Sequence, residues 1–328
     1  MTNRIAVIGC GHWGRNLVRN FAELGALAAV CDPNELLAET FAKEYNVENL
    51  SFDTVINETE IDGVVLAVPA PLHAAMAIAA MNAWKHVYVE KPLAMNIGEA
   101  ADMIGSSKAN GVHLMVGHLL QYHPSFVTLL NLVRSGELGA ISYIYSNRLS
   151  FGKVRSEENV IWSFAPHDIS MVLSLTGREP DSVRAESSSI LQPDIADIAT
   201  LHMNFPLGEK AHISVSWLHP YKEQKLVVIG KDAMAVFDDT KLWGEKLALY
   251  RHVVQSSDGV PNLKKAEVEF LEVVQSEPLT NECQHFLDIV SGKVLPLTDG
   301  AEGLRVLKVL SAASLSERRN ETVRLEAI

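Results

Sequence analysis

Four groups of residues are of the right type and spacing to do chemistry. Gly9, Gly11 and Gly14 stand in the run Ile8-Gly9-Cys10-Gly11-His12-Trp13-Gly14, the spacing of a loop that turns tightly and lets its backbone approach a phosphate. A helix opening there offers unpaired N–H groups and the positive end of its dipole to that phosphate. The amides of His12 and Trp13 are expected on the pyrophosphate, with Trp13 packing beneath. Asp32 ends the next apolar run about 20 residues on, where a carboxylate hydrogen-bonds a ribose diol. Its charge would repel a 2′-phosphate, and Pro33-Asn34-Glu35 adds no base, so the cofactor expected is NAD rather than NADP.

The third group is Glu90-Lys91-Pro92, directly after the apolar run Val87-Tyr88-Val89. Proline fixes φ and removes a donor, which makes the turn rigid. A lysine held there can hydrogen-bond a substrate oxygen and polarise it as a hydride leaves or arrives. Glu90 either pairs with Lys91 or contacts the cofactor ribose. The fourth group is Ser163-Phe164-Ala165-Pro166-His167-Asp168, where His167 titrates near neutrality and can take a hydroxyl proton. The plain readings are a surface Lys-Glu pair and a structural histidine at a helix start, one of 12 histidines in the chain.

These residues need strand ends and helix starts to hold them. Up to about residue 120 the chain alternates buried strands and helices: strands at 4–9, 27–31, around Phe52, at 63–68, 86–89 and 112–116, and helices at 13–24, 34–44, 72–83 and 97–109. Such βα units imply a doubly wound parallel sheet, which binds ligands at the carboxyl ends of its strands. That rule gathers the glycine loop, Asp32, Pro69, Glu90, Lys91, Pro92 and His118 on one edge. Pro69 and His73 fall towards the nicotinamide end, and His118, with Gln121 and His123, at the domain junction as a substrate contact. After about 120, strand-like runs at 141–151, 183–191, 200–205, 212–217, 225–230, 233–238 and 246–250 alternate apolar and polar residues, as in an antiparallel sheet covered on one face. A helix at 163–176 interrupts them, residues 252–280 read as a polar surface excursion, and helices at 281–291, capped by Asn281, and 300–316 close the chain. The expected fold is therefore α/β plus α+β: an N-terminal Rossmann domain (1–120), then an α+β domain (121–328) with a large, open, mostly antiparallel sheet and helices on one face. The C-terminal helix is free to pack back on the first domain.

Composition narrows the class. The 328 residues suffice for about two domains, and 48% are hydrophobic. No apolar run approaches the roughly 20 residues of a membrane span, and the N-terminus has no signal-like region, so a cytoplasmic protein is expected. A net charge of −12 argues against nucleic acid and anionic membranes as partners. Cys10, Cys31 and Cys283 have neither disulfide nor metal spacing, and His167 with Asp168 lacks a third ligand, so no metal is expected.

The glycine run, Glu90-Lys91-Pro92 and a histidine opening a second-domain helix together resemble the Gfo/Idh/MocA family across nearly the whole chain. The resemblance implies NAD(P)-dependent oxidation or reduction of a sugar or cyclitol carbon, Lys91 and His167 as catalytic residues, and an open sheet that forms dimers or tetramers. Many members read Asp-x-Gly-x-His-x-x-Asp around the histidine; here Ser163, Ala165 and Ser170 replace the two acids and the glycine. The run around His167 looks instead like the nucleotide-sugar subgroup. That implies oxidation of the 3-hydroxyl of UDP-N-acetylglucosamine, preferred here, or of its uronate. The 3-keto product would feed a PLP aminotransferase in 2,3-diamino sugar synthesis for lipid A or O-antigen. Ser163, Asp168 and Arg148 join Lys91, His118 and His167 as expected substrate contacts. Arg148, Lys153 and Arg155 are cations suited either to a uronate or to the UDP phosphates. The competing readings are a free-sugar or inositol dehydrogenase of the same family and an NAD-binding regulatory protein without turnover.

Overall fold

The computed structural model describes residues 3–152, 154–257 and 260–328; Lys153, one of the cations named above, lies outside them. In chain order the first elements are β1 (Ile5–Ile8), α1 (Gly14–Glu23), β2 (Leu27–Cys31), α2 (Glu35–Tyr45), β3 (Glu48–Asn49), α3 (Phe52–Asn57), β4 (Gly63–Leu66), α4 (His73–Asn82), β5 (His86–Glu90), α5 (Ile97–Asn110) and β6 (Leu114–Gly117). There follow α6 (Pro124–Arg134), β7 (Ile141–Phe151), α7 (Val160–Thr176), β8 (Ser182–Ser188), β9 (Ile198–Asn204), β10 (Lys210–Ser216), β11 (Leu218–Gly230), β12 (Met234–Asp238), β13 (Leu247–Tyr250), β14 (Val253–Ser257), β15 (Val260–Lys264) and β16 (Val268–Phe270). The chain ends with α8 (Pro278–Val290), α9 (Gly300–Arg319) and β17 (Val323–Arg324).

Two compact units result, Met1–Tyr122 with Glu277–Leu307 and His123–Ser276 with Lys308–Ile328. The first is built on a parallel sheet in the order β3-β2-β1-β4-β5-β6. The strand order reverses between β1 and β4, which opens a crevice at their carboxyl ends. Strands β1 and β4 are buried along their whole length, as unbroken apolar strands covered on both faces should be. Phe52, expected on the third strand, instead begins α3. Ser51 caps that helix by accepting the Thr54 amide, and the strand lies earlier, at Glu48–Asn49.

The sequence reading counts 277–307 with the second domain, but these residues fold into the first unit. Leu279, Cys283, Phe286, Leu287 and Ile289 of α8 share a core with Ile5, Val7, Phe21 and Tyr88. Phe286 meets Phe21 and Tyr88 edge-on, with centroids 6.2 and 5.8 Å apart. Helix α8 starts at Pro278, earlier than expected, because proline suits the first helical position; its cap is Glu277 rather than Asn281.

The second unit is built on a sheet in the order β16-β13-β12-β11-β7-β10-β9-β8-β17, antiparallel except where β10 runs parallel to β7. Helices α6 and α7 pack on it. Burial alternates along β9, so Ala199, Leu201 and Met203 face the core while His202 and Asn204 face outward. The segment expected to be a surface excursion carries structure: β14 pairs with β15, and β16 extends the sheet along β13.

Candidate active site

The glycine loop is the turn between β1 and α1, and two of its glycines are sterically required. Gly9 has φ +93°, and a Cβ on it would lie 2.5 Å from the Ala67 carbonyl oxygen. A Cβ on Gly14 would lie 1.8 Å from the Gly9 carbonyl oxygen. Around Gly11, by contrast, nothing among the described residues lies within 4 Å of such an atom, which is the open cradle a pyrophosphate needs. No side chain among the described residues caps α1; the Arg15 and Asn16 amides are spent on the Gly11 and Trp13 carbonyls at 3.1 and 2.9 Å, which leaves the amides ahead of them to meet an anion. Asp32 is locked beside this loop. One of its carboxylate oxygens accepts the Cys10 amide at 2.7 Å and the other the Asn34 amide at 2.9 Å. Each oxygen keeps acceptor capacity for a ribose diol. These residues fit an NAD cofactor. The buried Cys10 thiol is pushed up to about 12 by burial and then by Asp32, which makes it a packing group rather than a nucleophile.

The loop carrying Lys91 is tied to its neighbours twice. The indole of Trp13 donates to Glu90 Oε1 at 2.6 Å, and the Lys91 amide donates to Glu90 Oε2 at 3.3 Å. Trp13 is thus a strut between the glycine loop and the end of β5, and the residue is 39% exposed. Burial raises the Glu90 carboxyl above its ordinary range, while the Trp13 N–H and the Lys91 charge oppose that rise. The second tie is His73. It is fully buried, with Nδ1 2.8 Å from the Pro92 carbonyl oxygen and Nε2 3.0 Å from that of Val68. Burial lowers its pKa, the two carbonyls oppose this, and Lys91 lowers it further. The Lys91-Pro92 bond is cis. In the first unit, then, Gly9 to Gly14, Asp32, Pro69, His73 and Glu90 to Pro92 collect at the carboxyl ends of β1, β2, β4 and β5. Lys91 is half-buried there. His118 belongs to the same unit; it is buried with Nδ1 2.5 Å from Glu302 Oε2.

The second unit places Ser163, His167, Asp168 and Arg148 together. Asn159 caps α7 by accepting the Trp162 amide at 3.2 Å. His167 stands four positions after Ser163, so both lie on one helix face. Pro166 inside the helix removes one backbone donor just before His167. Asp168 points into the core and pins the helix to β7. Arg148 Nε donates to its Oδ2 at 2.5 Å, Arg148 Nη2 to its Oδ1 at 3.3 Å, and the Ser146 hydroxyl to Oδ1 at 2.6 Å. The cation expected near substrate is thus engaged by its own neighbour. Arg155 pairs with Glu158 at 3.1 Å. His123 is buried and bridges to Asp239 at 3.2 Å, and Lys246 holds the same carboxylate at 2.6 Å.

Sequence reasoning passed over Tyr88, Thr298 and Glu302, which hold site elements in place, and Glu282, an acid buried on α8. The Thr298 hydroxyl donates to the Val116 carbonyl at 2.7 Å, and the Thr298 carbonyl accepts the Val116 amide at 2.8 Å, fixing the end of β6. Glu282 left a legible signal: an acid between Leu279 and Phe286 on the apolar stripe of an amphipathic helix. Among the described residues, no cluster of three or more His, Cys, Asp or Glu is placed to hold a metal ion, and no helix is long and apolar enough to cross a membrane.

Comparison with known proteins agrees with this architecture. Residues 3–118 match the oxidoreductase family with an NAD-binding Rossmann fold, and residues 126–236 match the GFO/IDH/MocA C-terminal domain. The chain is 30% identical to the UDP-N-acetylglucosamine 3-dehydrogenase of Acidithiobacillus ferrooxidans over 96% of each protein. It is 26% identical to the NAD(+)-dependent scyllo-inositol 2-dehydrogenase of Bacillus subtilis over 98% of this chain and 96% of that one. The solved structure of the Acidithiobacillus enzyme, GnnA, superposes with a TM-score of 0.85 at 29% identity, covering 96% of this chain and 97% of that one. The chain belongs to the Gfo/Idh/MocA family of NAD-binding oxidoreductases.

Proposed function

We propose that the protein oxidises the 3-hydroxyl of UDP-N-acetylglucosamine to the 3-keto sugar with NAD. The observation that carries this reading is the end-to-end likeness to an enzyme of that name, 30% identical over 96% of each chain. The run around His167, with Ser163 where many relatives have an acid, supports it. Bound NAD supplies the hydride acceptor. Lys91, held rigidly by the Glu90 and Pro92 contacts, donates a hydrogen bond to the reacting oxygen and stabilises the charge that develops there. His167 accepts the hydroxyl proton; with Ser163 in the place of the acid, proton transfer falls to Lys91 and His167. Asp168 and Arg148 serve the substrate by fixing the helix that carries Ser163 and His167, and His118 contacts the sugar side. The glycine loop, Asp32, Pro69, His73, Glu90 and Pro92 form the cofactor's surroundings.

The proposal extends to a cytoplasmic homo-oligomer, dimer or tetramer, formed through the outward face of the second sheet. That face presents Tyr143, Tyr145, His202 and His212; the Tyr145 and His212 rings stack 5.4 Å apart. Light scattering on the purified protein tests the assembly. The keto product is unstable to reduction by the NADH formed beside it, so a consuming step is expected, and a PLP-dependent aminotransferase is the partner we assign. The reaction is tested by NADH formation from UDP-N-acetylglucosamine in the presence of a ketone trap. Activity confined to free sugars or inositols would favour the alternative dehydrogenase reading, and activity confined to the uronate would move the substrate within the same subgroup. Tight NAD binding with no turnover on any of them would favour a regulator.

A further inference from the structure

Glu282 is a buried acid that the hydride-transfer chemistry does not use. It lies on the core face of α8 and is wholly shielded from solvent. Among the described residues, neither of its carboxyl oxygens has a formed hydrogen bond. The titratable groups that face it are Tyr88 and Glu90 of β5, Tyr122 of the short turn Leu119–Tyr122, and Cys283 of its own helix. None of these is a cation. An ionised carboxylate buried without a cation is strongly disfavoured, so the group keeps its proton. Burial pushes it well above the usual carboxylate range, and the nearby Glu90 adds to the rise.

A neutral acid is a donor, and the group available to accept from it is the Tyr88 hydroxyl. The Tyr88 hydroxyl in turn donates to Glu90 Oε1 at 3.3 Å. Glu90 is the residue that ties Trp13 of the glycine loop to the amide of Lys91. Gly117 closes the other side of this carboxylate: a Cβ there would press on its carboxyl carbon and both oxygens at 3.0 Å. We propose that Glu282 is a positioning residue for the NAD loop. Its O–H, passed through Tyr88, directs a hydrogen bond onto Glu90 and holds that carboxylate as the acceptor for Trp13 and Lys91.

The test compares Glu282→Gln, which keeps a donor, with Glu282→Met, which keeps the bulk alone. NAD affinity is measured by calorimetry, so the result does not depend on which sugar the enzyme oxidises. Glu282→Gln should bind NAD within about twofold of wild type and Glu282→Met about tenfold more weakly, the scale of one lost hydrogen bond in a network. The thermal midpoint of Glu282→Met should not fall, since an apolar side chain suits an apolar core. The infrared spectrum of the wild type at neutral pH should show the carbonyl stretch of a protonated carboxylic acid that disappears in Glu282→Gln and shifts in Tyr88→Phe. Wild-type NAD affinity in Glu282→Met would reduce the residue to a space filler and overturn the proposal. So would absence of the protonated-acid band from the wild-type spectrum, a measurement that needs no variant to fold.

Discussion

Lys91 rides on a loop tied twice to neighbouring strand ends, by Glu90 to Trp13 and by His73 to Val68 and Pro92. His167 rides on a helix whose next residue, Asp168, is held to β7 by Arg148 and Ser146. In the first unit, position follows from topology. Parallel strands deliver their carboxyl ends to one edge, and short polar contacts between adjacent loops do the rest. In the second unit, the sheet supplies a platform, and the reactive face depends on where a single carboxylate is anchored. The first arrangement is redundant and suits a cofactor site shared by a whole family. The second centres on the contacts of Asp168, so small changes around α7 would be expected to retune the substrate without disturbing the cofactor.

This contrast can be broken at its ends. Lys91→Ala should cut turnover by about 10³-fold or more while changing NAD affinity by no more than about twofold, because in the proposed reaction the lysine acts on the reacting oxygen. Steady-state kinetics and calorimetry on the same preparation check it. Asp168→Asn leaves the part-buried Arg148 guanidinium without its counter-ion and should cost about 2–3 kcal/mol in urea unfolding. Replacing both partners together, Asp168→Leu with Arg148→Met, should recover much of that stability but not turnover, which separates holding the fold from placing His167.

Two weaker effects sharpen the comparison. Asp239 is opposed by burial, yet the hydrogen bonds from His123 and Lys246 bring it down to about 2 from an ordinary 3.8. A depressed acid contributes stability that is present above its unfolded pKa and lost as pH falls through the folded one. The second unit should therefore lose about 2 kcal/mol as pH drops from about 4 towards about 2, and Asp239→Asn should flatten that limb of an acid-unfolding curve. The smallest effect belongs to the redundant unit. Trp13→Phe removes one tie and leaves that of His73, so NAD affinity should weaken by only about threefold to tenfold.

Much of this was legible in the sequence. Glycine spacing, the acid at a strand end and unbroken apolar runs specify a parallel sheet because each reports a local steric or burial demand. The strand-end rule then gathered Asp32, Pro69, Glu90 and Lys91 without further information. What stayed hidden is what depends on partners distant in sequence. Glu302 meets His118 across 184 positions and Thr298 meets Tyr122 across 176, and no local pattern announces either. Phe52 looked like a strand residue because an aromatic suits a strand, but the Ser51 cap decided for helix. Arg148 looked like a cation free for phosphate or carboxylate because the acid that claims it lies 20 residues away on another element.

The central claim, hydride removal from C3 of UDP-N-acetylglucosamine, is tested most directly with substrate carrying deuterium at C3, NAD and a ketone trap. Mass spectrometry of the reduced cofactor should then show one deuterium per turnover, with none after Lys91→Ala. Unlabelled NADH formed at a full rate, or no NADH from this substrate while a free sugar or inositol reacts, would contradict the assignment.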